Sequence, residues 1–244
     1  FNKLMGKVGQ YQEQLRSFNS NVAHELNTPL SSLTVSHELL LREKNPDPEH
    51  LKEALHSHLE ELQRMNRIIQ SMLFLSHASQ GQYNDFRWVE KLSEPVMTVM
   101  DYMEAMLEEK HLHFELRGDA SARIDSELVK RALSNLVSNA IRYAEEGSTI
   151  HIHIEPAHAS GLVNVTVSNK GVCIPQRSVP HLFEPFYRVD QSRNESGHNH
   201  GLGLAIVAAI ARLHGGEPFA QCDGEWVRIG FSVKQGVQPS LAEV

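Results

Sequence analysis

The chain has 244 residues, 41% of them hydrophobic, which is enough for one large or two small cores. A formal net charge of -7 excludes a sequence-independent grip on nucleic acid, which needs a surplus of Lys and Arg. The two cysteines, Cys173 and Cys222, show neither metal-ligand spacing nor a disulfide framework, and this suits a reducing compartment.

No apolar run reaches membrane-spanning length, and no signal peptide is visible. Phe1 already lies in a helical pattern. The chain is therefore expected to be a fragment, entering part-way along a helix that arrives from an upstream segment.

Leu4, Val8, Tyr11, Leu15, Phe18 and Val22 alternate steps of four and three, a heptad seam. Steps of four then run through Leu26 and Leu30 before Leu33, His37 and Leu40 resume the alternation. That surplus is a stutter, which locally unwinds a coiled coil. It falls across His24. Two residues turn a helix by roughly 200°, so His24, two from Val22 and two from Leu26, points away from the seam. Glu25 follows it. Pro29 is expected to kink the helix one turn later, because it removes a hydrogen bond and crowds the preceding turn.

Lys44 to Pro48, with two prolines, breaks the helix. Leu51, Leu55, His58, Leu62, Met65, Ile69 and Met72 then define a second one. Leu59, Leu73 and Leu75 widen its apolar surface. Two helices cannot bury stripes this broad against each other alone. A four-helix bundle made by two chains would, so a homodimer is expected; the alternative is packing onto the C-terminal half of the same chain.

Beyond residue 80 the pattern changes to strands mixed with helices. Strands are expected at Asp85–Val89, Leu112–Arg117, Thr149–Glu155, Leu162–Ser168, Phe219–Cys222 and Trp226–Val233. A turn at His158–Gly161 joins the third and fourth of these. Helices are expected at Leu92–Lys110, from Asp125 as its cap to Tyr143, and at Leu202–Leu213 with Gly215 and Gly216 behind it. This interleaving implies one sheet with helices on one face. The fold class is thus multi-domain. An all-α helical hairpin forming a dimeric four-helix bundle spans residues 1–80. An α/β sandwich of α+β type spans residues 83–236, and residues 237–244 are a tail.

The helix Asp125–Tyr143 carries Arg131, Asn135, Asn139 and Arg142 on one face. Two amides one turn apart offer two hard carbonyl oxygens, the donors Mg²⁺ prefers, and Arg142 beside them can hold phosphate. Gly201-Leu202-Gly203-Leu204 opens a helix, where backbone N–H groups and the positive dipole end favour phosphate. Asn169 to Pro175 is a glycine turn after a strand, and Leu182 to Arg188 is an aromatic cluster suited to pinning a loop. Fifteen histidines include the pairs His56/His58, His111/His113, His151/His153 and His198/His200. No carboxylate or cysteine is spaced to complete a metal site with His151 and His153, so all are expected to be surface histidines.

In this order the stretches resemble the sensor histidine kinases of two-component systems. The likeness is to a HisKA dimerisation domain followed by a Bergerat-type ATP-binding domain, in the group that includes heavy-metal sensors. His24-Glu25-Leu26-Asn27-Thr28-Pro29 matches the H box, and Asn135 to Tyr143 matches the N box. Asn169 to Ile174 falls at the G1 box, Phe183 to Phe186 at the F box, and Gly201 to Leu204 at the G2 box.

The resemblance implies a protein-histidine kinase with ATP and Mg²⁺ as cofactors. His24 would be the phosphoacceptor, Glu25 its base, and Thr28 would position water for dephosphorylating the partner. Asn135 and Asn139 would hold the metal, with Arg142 and Tyr143 near the phosphates. Asn169, Gly171, Cys173, Ile174, Phe183, Arg188, Gly201, Leu202, Gly203 and Leu204 would line the nucleotide. The implied partners are a second copy and the receiver domain of a response regulator. A membrane would be met only through the missing upstream segment of a bacterial inner-membrane protein. Three positions depart from the family pattern: Asn27 replaces a base, Asn169 replaces the aspartate that receives the adenine amino group, and Cys173 replaces a glycine. The alternatives are a degenerate dimeric scaffold, a phosphatase-biased kinase, or a Bergerat-type ATPase; the last normally has Glu where Asn135 stands.

Overall fold

In the computed structural model, residues 2–44, 47–80, 83, 85–157, 160–189 and 200–236 are described, with side chains omitted for residues 2–17 and 19. The early seam side chains Leu4, Val8, Tyr11 and Leu15 lie outside this description. So do Asn45 and Pro46 of the breaker, His158 and Ala159 of the turn, Gly197, His198 and the tail from residue 237. The chain divides into two compact units, chiefly Phe1–Leu73 in one and Phe74–Asn194 with Gly201–Val244 in the other.

The first unit is a helical hairpin of α1 (Asn2–Arg42) and α2 (Pro48–Ser79). Pro29 is buried inside α1, and the helix is continuous through it. A side-chain hydrogen bond flanks the proline, with Thr28 Oγ1 donating to the His24 carbonyl at 3.0 Å. The two helices meet where Ser36 Oγ and His58 Nε2 share a 2.7 Å hydrogen bond and the His37 and His58 rings stack with centroids 4.2 Å apart. His58 is only 6% exposed, so the expectation that every histidine of an H-x-H pair lies at the surface fails for it. It failed because a seam position faces the neighbouring helix whichever residue occupies it. Leu33 is buried, whereas Leu30, Leu55, Leu59, Leu62, Ile69 and Leu73 remain exposed on the hairpin.

The second unit contains a five-stranded sheet in the order β2-β4-β5-β7-β6. Its strands are β2 (His113–Arg117), β4 (Thr149–Ala157), β5 (Leu162–Lys170), β6 (Pro218–Asp223) and β7 (Trp226–Lys234). Only β2 and β4 pair parallel; the other neighbours are antiparallel. A second, two-stranded ribbon pairs β1 (Arg87–Val89) with β3 (Ala122–Ile124). The single expected sheet is therefore corrected to two. Three residues are too few to show a period of two, so β3 left no pattern in the sequence.

Three helices cover the five-stranded sheet: α3 (Ser93–Glu109), α4 (Ser126–Tyr143) and α5 (Gly203–Leu213). Strand alternation decides what they cover. Ile150, Ile152 and Ile154 of β4 and Val163, Val165 and Val167 of β5 are buried in one core with Leu133, Leu136 and Val137 of α4. His151 and His153 alternate with those isoleucines on the opposite face. There Glu115, placed opposite His151 by the parallel register, has its Oε2 3.1 Å from His151 Nδ1. A carboxylate does therefore reach this histidine, a neighbourhood that spacing along the chain does not reveal.

Candidate functional site

Asp125 starts α4 as expected: its side chain accepts from the Glu127 and Leu128 N–H groups, both at 3.1 Å. The helix runs for five turns, and its far end is met by Lys110, whose Nζ donates to the Ile141 and Arg142 carbonyls at 3.0 Å each. Those carbonyls are orphans of the last turn, where a cation is favoured. Lys110 escaped the sequence reading because a lysine at the end of α3 looks like an ordinary surface residue.

Along α4, Asn135 and Asn139 are both half-buried. Asn135 Nδ2 donates back to the Arg131 carbonyl at 2.8 Å, which turns its Oδ1 the other way. That oxygen abuts the first residue of α5: a Cβ on Gly203 would stand 2.8 Å from it. A side chain fits there only if that amide moves. Arg131 lies over the Phe74 ring, 4.2 Å from its centroid, and burial lowers its pKa from the ordinary guanidinium value. Arg142 is half-buried with its guanidinium 5.8 Å from the centroid of the Tyr143 ring, and Tyr143 itself is half-exposed.

The start of α5 has no side-chain cap; Leu202, in the N-cap position, is buried and its carbonyl accepts from Ile206 N–H at 2.9 Å. Its first N–H groups thus have no cap from their own helix, the arrangement that receives phosphate oxygens. Gly201 precedes it at φ +68°, where an L side chain is strained. Its carbonyl accepts from Phe186 N–H at 2.9 Å, and a Cβ at Gly201 would collide with the Phe186 backbone. Phe186 also has positive φ, at 66°. Phe183 and Leu204 pack on the core, and Arg188 is half-buried. The aromatic cluster and the glycine pair, separate in sequence, are thus one joint.

Asn169, next to last in β5, is 4% exposed, with Nδ2 donating to the Lys170 carbonyl at 3.4 Å. Gly171 donates to the Glu225 carbonyl at 2.8 Å and bridges Ala144, and a Cβ on it would fall on the Tyr143 carbonyl. Lys170 holds this turn through 3.1 Å contacts to Glu225 and Glu145, and those bonds raise its pKa above the ordinary lysine value. Ile174 packs on the core. Cys173 is bonded to Cys222 across a sequence separation of 49, with Cα atoms 5.8 Å apart. The expectation of unbridged cysteines is corrected, and the cysteine count no longer argues for a reducing compartment. Chain spacing could not show the pair, because the sheet order brings the loop after β5 to strand β6.

In the hairpin, His24 is exposed on α1, Glu25 is half-buried and Thr28 is exposed. The expected outward imidazole is thus present. One unit offers an exposed imidazole, the other two amides, a cation-capped helix and an uncapped helix start.

Comparison with known proteins agrees with this division. Residues 14–81 match the His Kinase A (phospho-acceptor) domain. Residues 124–235 match the histidine kinase-, DNA gyrase B- and HSP90-like ATPase family. With both domains in this order, the chain belongs to the sensor histidine kinases of two-component systems. It is 36% identical over 217 residues to the sensor histidine kinase CusS of Escherichia coli O6:H1, covering 88% of this chain and 45% of CusS. The chain therefore spans about half the length of the curated relatives it matches. Its fold resembles that of the Acinetobacter baumannii histidine kinase AdeS, with TM-score 0.70 at 22% identity over 88% of this chain and 98% of that one. It also resembles the histidine kinase ThkA, solved in complex with the response regulator protein TrrA, with TM-score 0.70 at 24% identity over 93% of this chain and 64% of that one.

Proposed function

We propose that this chain phosphorylates His24 from Mg-ATP and passes the phosphoryl group to an aspartate on the receiver domain of a response regulator. It would also dephosphorylate that regulator. The reading takes residues 1–80 as the dimerising phosphotransfer domain and residues 83–236 as the ATP-binding domain. It further takes the chain as the cytoplasmic portion of an inner-membrane sensor that works as a homodimer.

The observation that carries this reading is the meeting of Asn135 Oδ1 with Gly203. It sets a hard oxygen donor beside the uncapped start of α5. Asn135 and Asn139 fit a metal, because Nδ2 of Asn135 is already committed to Arg131 and leaves the oxygen for the cation. Bound Mg²⁺ would neutralise phosphate charge. Arg142 and the first N–H groups of α5 would orient the phosphates. Asn169 would accept from the adenine amino group, Gly171 would leave room for the base, and Tyr143, Cys173, Ile174, Phe183, Arg188, Gly201, Leu202 and Leu204 would enclose it. His24 would attack in line as a neutral imidazole, with Glu25 holding the ring and taking its proton. Positioning and charge neutralisation carry most of such a transfer. Thr28 would orient the water that releases phosphate from the partner. The match to a family with a kinase solved against its response regulator supports the choice of partner.

Incubation with Mg²⁺ and γ-labelled ATP tests this. Acid-labile label on the protein is expected. Free phosphate alone would favour an ATPase, and neither product would favour a scaffold.

A further inference from the structure

The sulfur pair in the second unit has no part in phosphoryl transfer, yet it stands at the place assigned to the base. The β-sheet register shows how. Asn169 lies opposite Val227, and Val227 lies opposite Cys222. The three residues form one row across β5, β7 and β6, and directly opposed residues share a face. Val227 and Asn169 are buried on the face the helices cover. Cys222, partly buried against the same core, is the row's outer end on the edge strand β6.

Cys173 follows Asn169 by four residues. Two strand spacings separate β5 from β6, about 10 Å. The chain leaving β5 must therefore pass the end of β7 to reach Cys222. Gly171 marks that path, since its N–H donates to the Glu225 carbonyl in the β6–β7 turn. The bridge then fastens the loop over the row that starts at Asn169. Cys173 itself is exposed, so thiols in solution have access to it. An exposed disulfide is the kind that exchanges.

We propose that Cys173 and Cys222 are a reversible redox-modification site that controls entry of the nucleotide base. The inference rests on the nucleotide-site reading above. In the oxidised form the loop is drawn across the Asn169–Val227–Cys222 row and crowds the base; in the dithiol form the loop lifts and leaves it more room. The oxidant is a small-molecule disulfide such as glutathione disulfide. One cysteine thiolate attacks it, forming a mixed disulfide and releasing one glutathione. The other thiolate then attacks the cysteine sulfur of that mixed disulfide and expels the second glutathione. Two thiols lose two electrons and two protons, and glutathione disulfide gains both as two glutathione molecules.

The test uses the whole chain equilibrated with reduced glutathione or with glutathione disulfide. Peptide mapping reads the bridge, and calorimetry with Mg-ADP reads the affinity. The bridged form is expected to bind about tenfold or more weaker than the dithiol form, a difference of about 1.4 kcal/mol or more. Cys222→Ser, which cannot form the bridge, should bind in reduced glutathione as the dithiol wild type does. Equal affinity of the bridged and dithiol wild-type forms overturns the gating while leaving the nucleotide site standing. Failure of glutathione disulfide to form the bridge overturns it too. Absence of binding in both forms overturns the nucleotide site and the gating together.

Discussion

At the scale of single residues, the site is a set of close approaches that leave no room for a side chain. Gly203 against Asn135 Oδ1 is the one of these that touches a proposed metal ligand. Gly203→Ala must push the amide aside and strain its 2.8 Å bond to the Arg131 carbonyl. Losing that bond costs about 1 kcal/mol of stability, so the fold survives. The displaced oxygen no longer faces the start of α5, and Mg-nucleotide affinity should fall about tenfold, some 1.4 kcal/mol. An unchanged affinity measured by calorimetry would remove Asn135 from the site. The residue types themselves were legible in the sequence: the amides on α4, the glycines at the start of α5 and the outward His24 all stand where their spacing put them. What the spacing could not give was contact. Cys173 with Cys222, Gly201 with Phe186, and Lys110 with the end of α4 are all pairings made by the tertiary fold.

At the scale of elements, α4 and α5 are tied end to end by a histidine that the sequence did not mark out. His214, 4% exposed, follows α5. Asp125 N–H donates to its Nε2 at 3.1 Å, so Nδ1 carries the proton and donates to the Ile210 carbonyl at 2.7 Å. A second proton would put N–H against N–H. Burial lowers the pKa of His214 from the ordinary imidazole value, against its bond to Ile210 and the charge of Asp125. Between the lowered value and the ordinary one, the unfolded chain binds more protons than the folded chain. The stability His214 confers is therefore full above the ordinary value and is lost as pH falls through that window. Acidification from about pH 7.5 to about pH 5.5 should lower the Tm of the second unit, and part of that loss should disappear in His214→Gln. Equal acid sensitivity of the two proteins in thermal melts would remove His214 from that role. The elements were readable from periodicity because the long ones bury one face each. The β1–β3 ribbon was not readable, being set by pairing between segments of three residues.

At the scale of the whole molecule, the hairpin exposes apolar surface that one copy cannot cover. Leu55, Leu59 and Leu62 of α2 are each more than half exposed. Burying a leucine is worth about 1.5–3 kcal/mol, so a second copy covering these stripes is favoured. Leu59→Glu combined with Leu62→Glu should shift the protein to monomer in sedimentation while Mg-nucleotide affinity in the second unit stays unchanged. A dimer that persists would place the interface elsewhere. The two-unit division was expected from the change of pattern near residue 80, and the compact units divide at Leu73 and Phe74, inside α2. The difference arises because α2 is one continuous helix whose last turns, from Phe74 on, bury their apolar residues in the core of the second unit.

Covalent phosphate on the intact chain, measured by mass spectrometry after incubation with Mg-ATP, tests the central claim most directly when the wild type is set beside His24→Gln. The account predicts one acid-labile phosphate on the wild type, none on the variant, and equal Mg-nucleotide affinity in both. Phosphate that remains on the variant would contradict it.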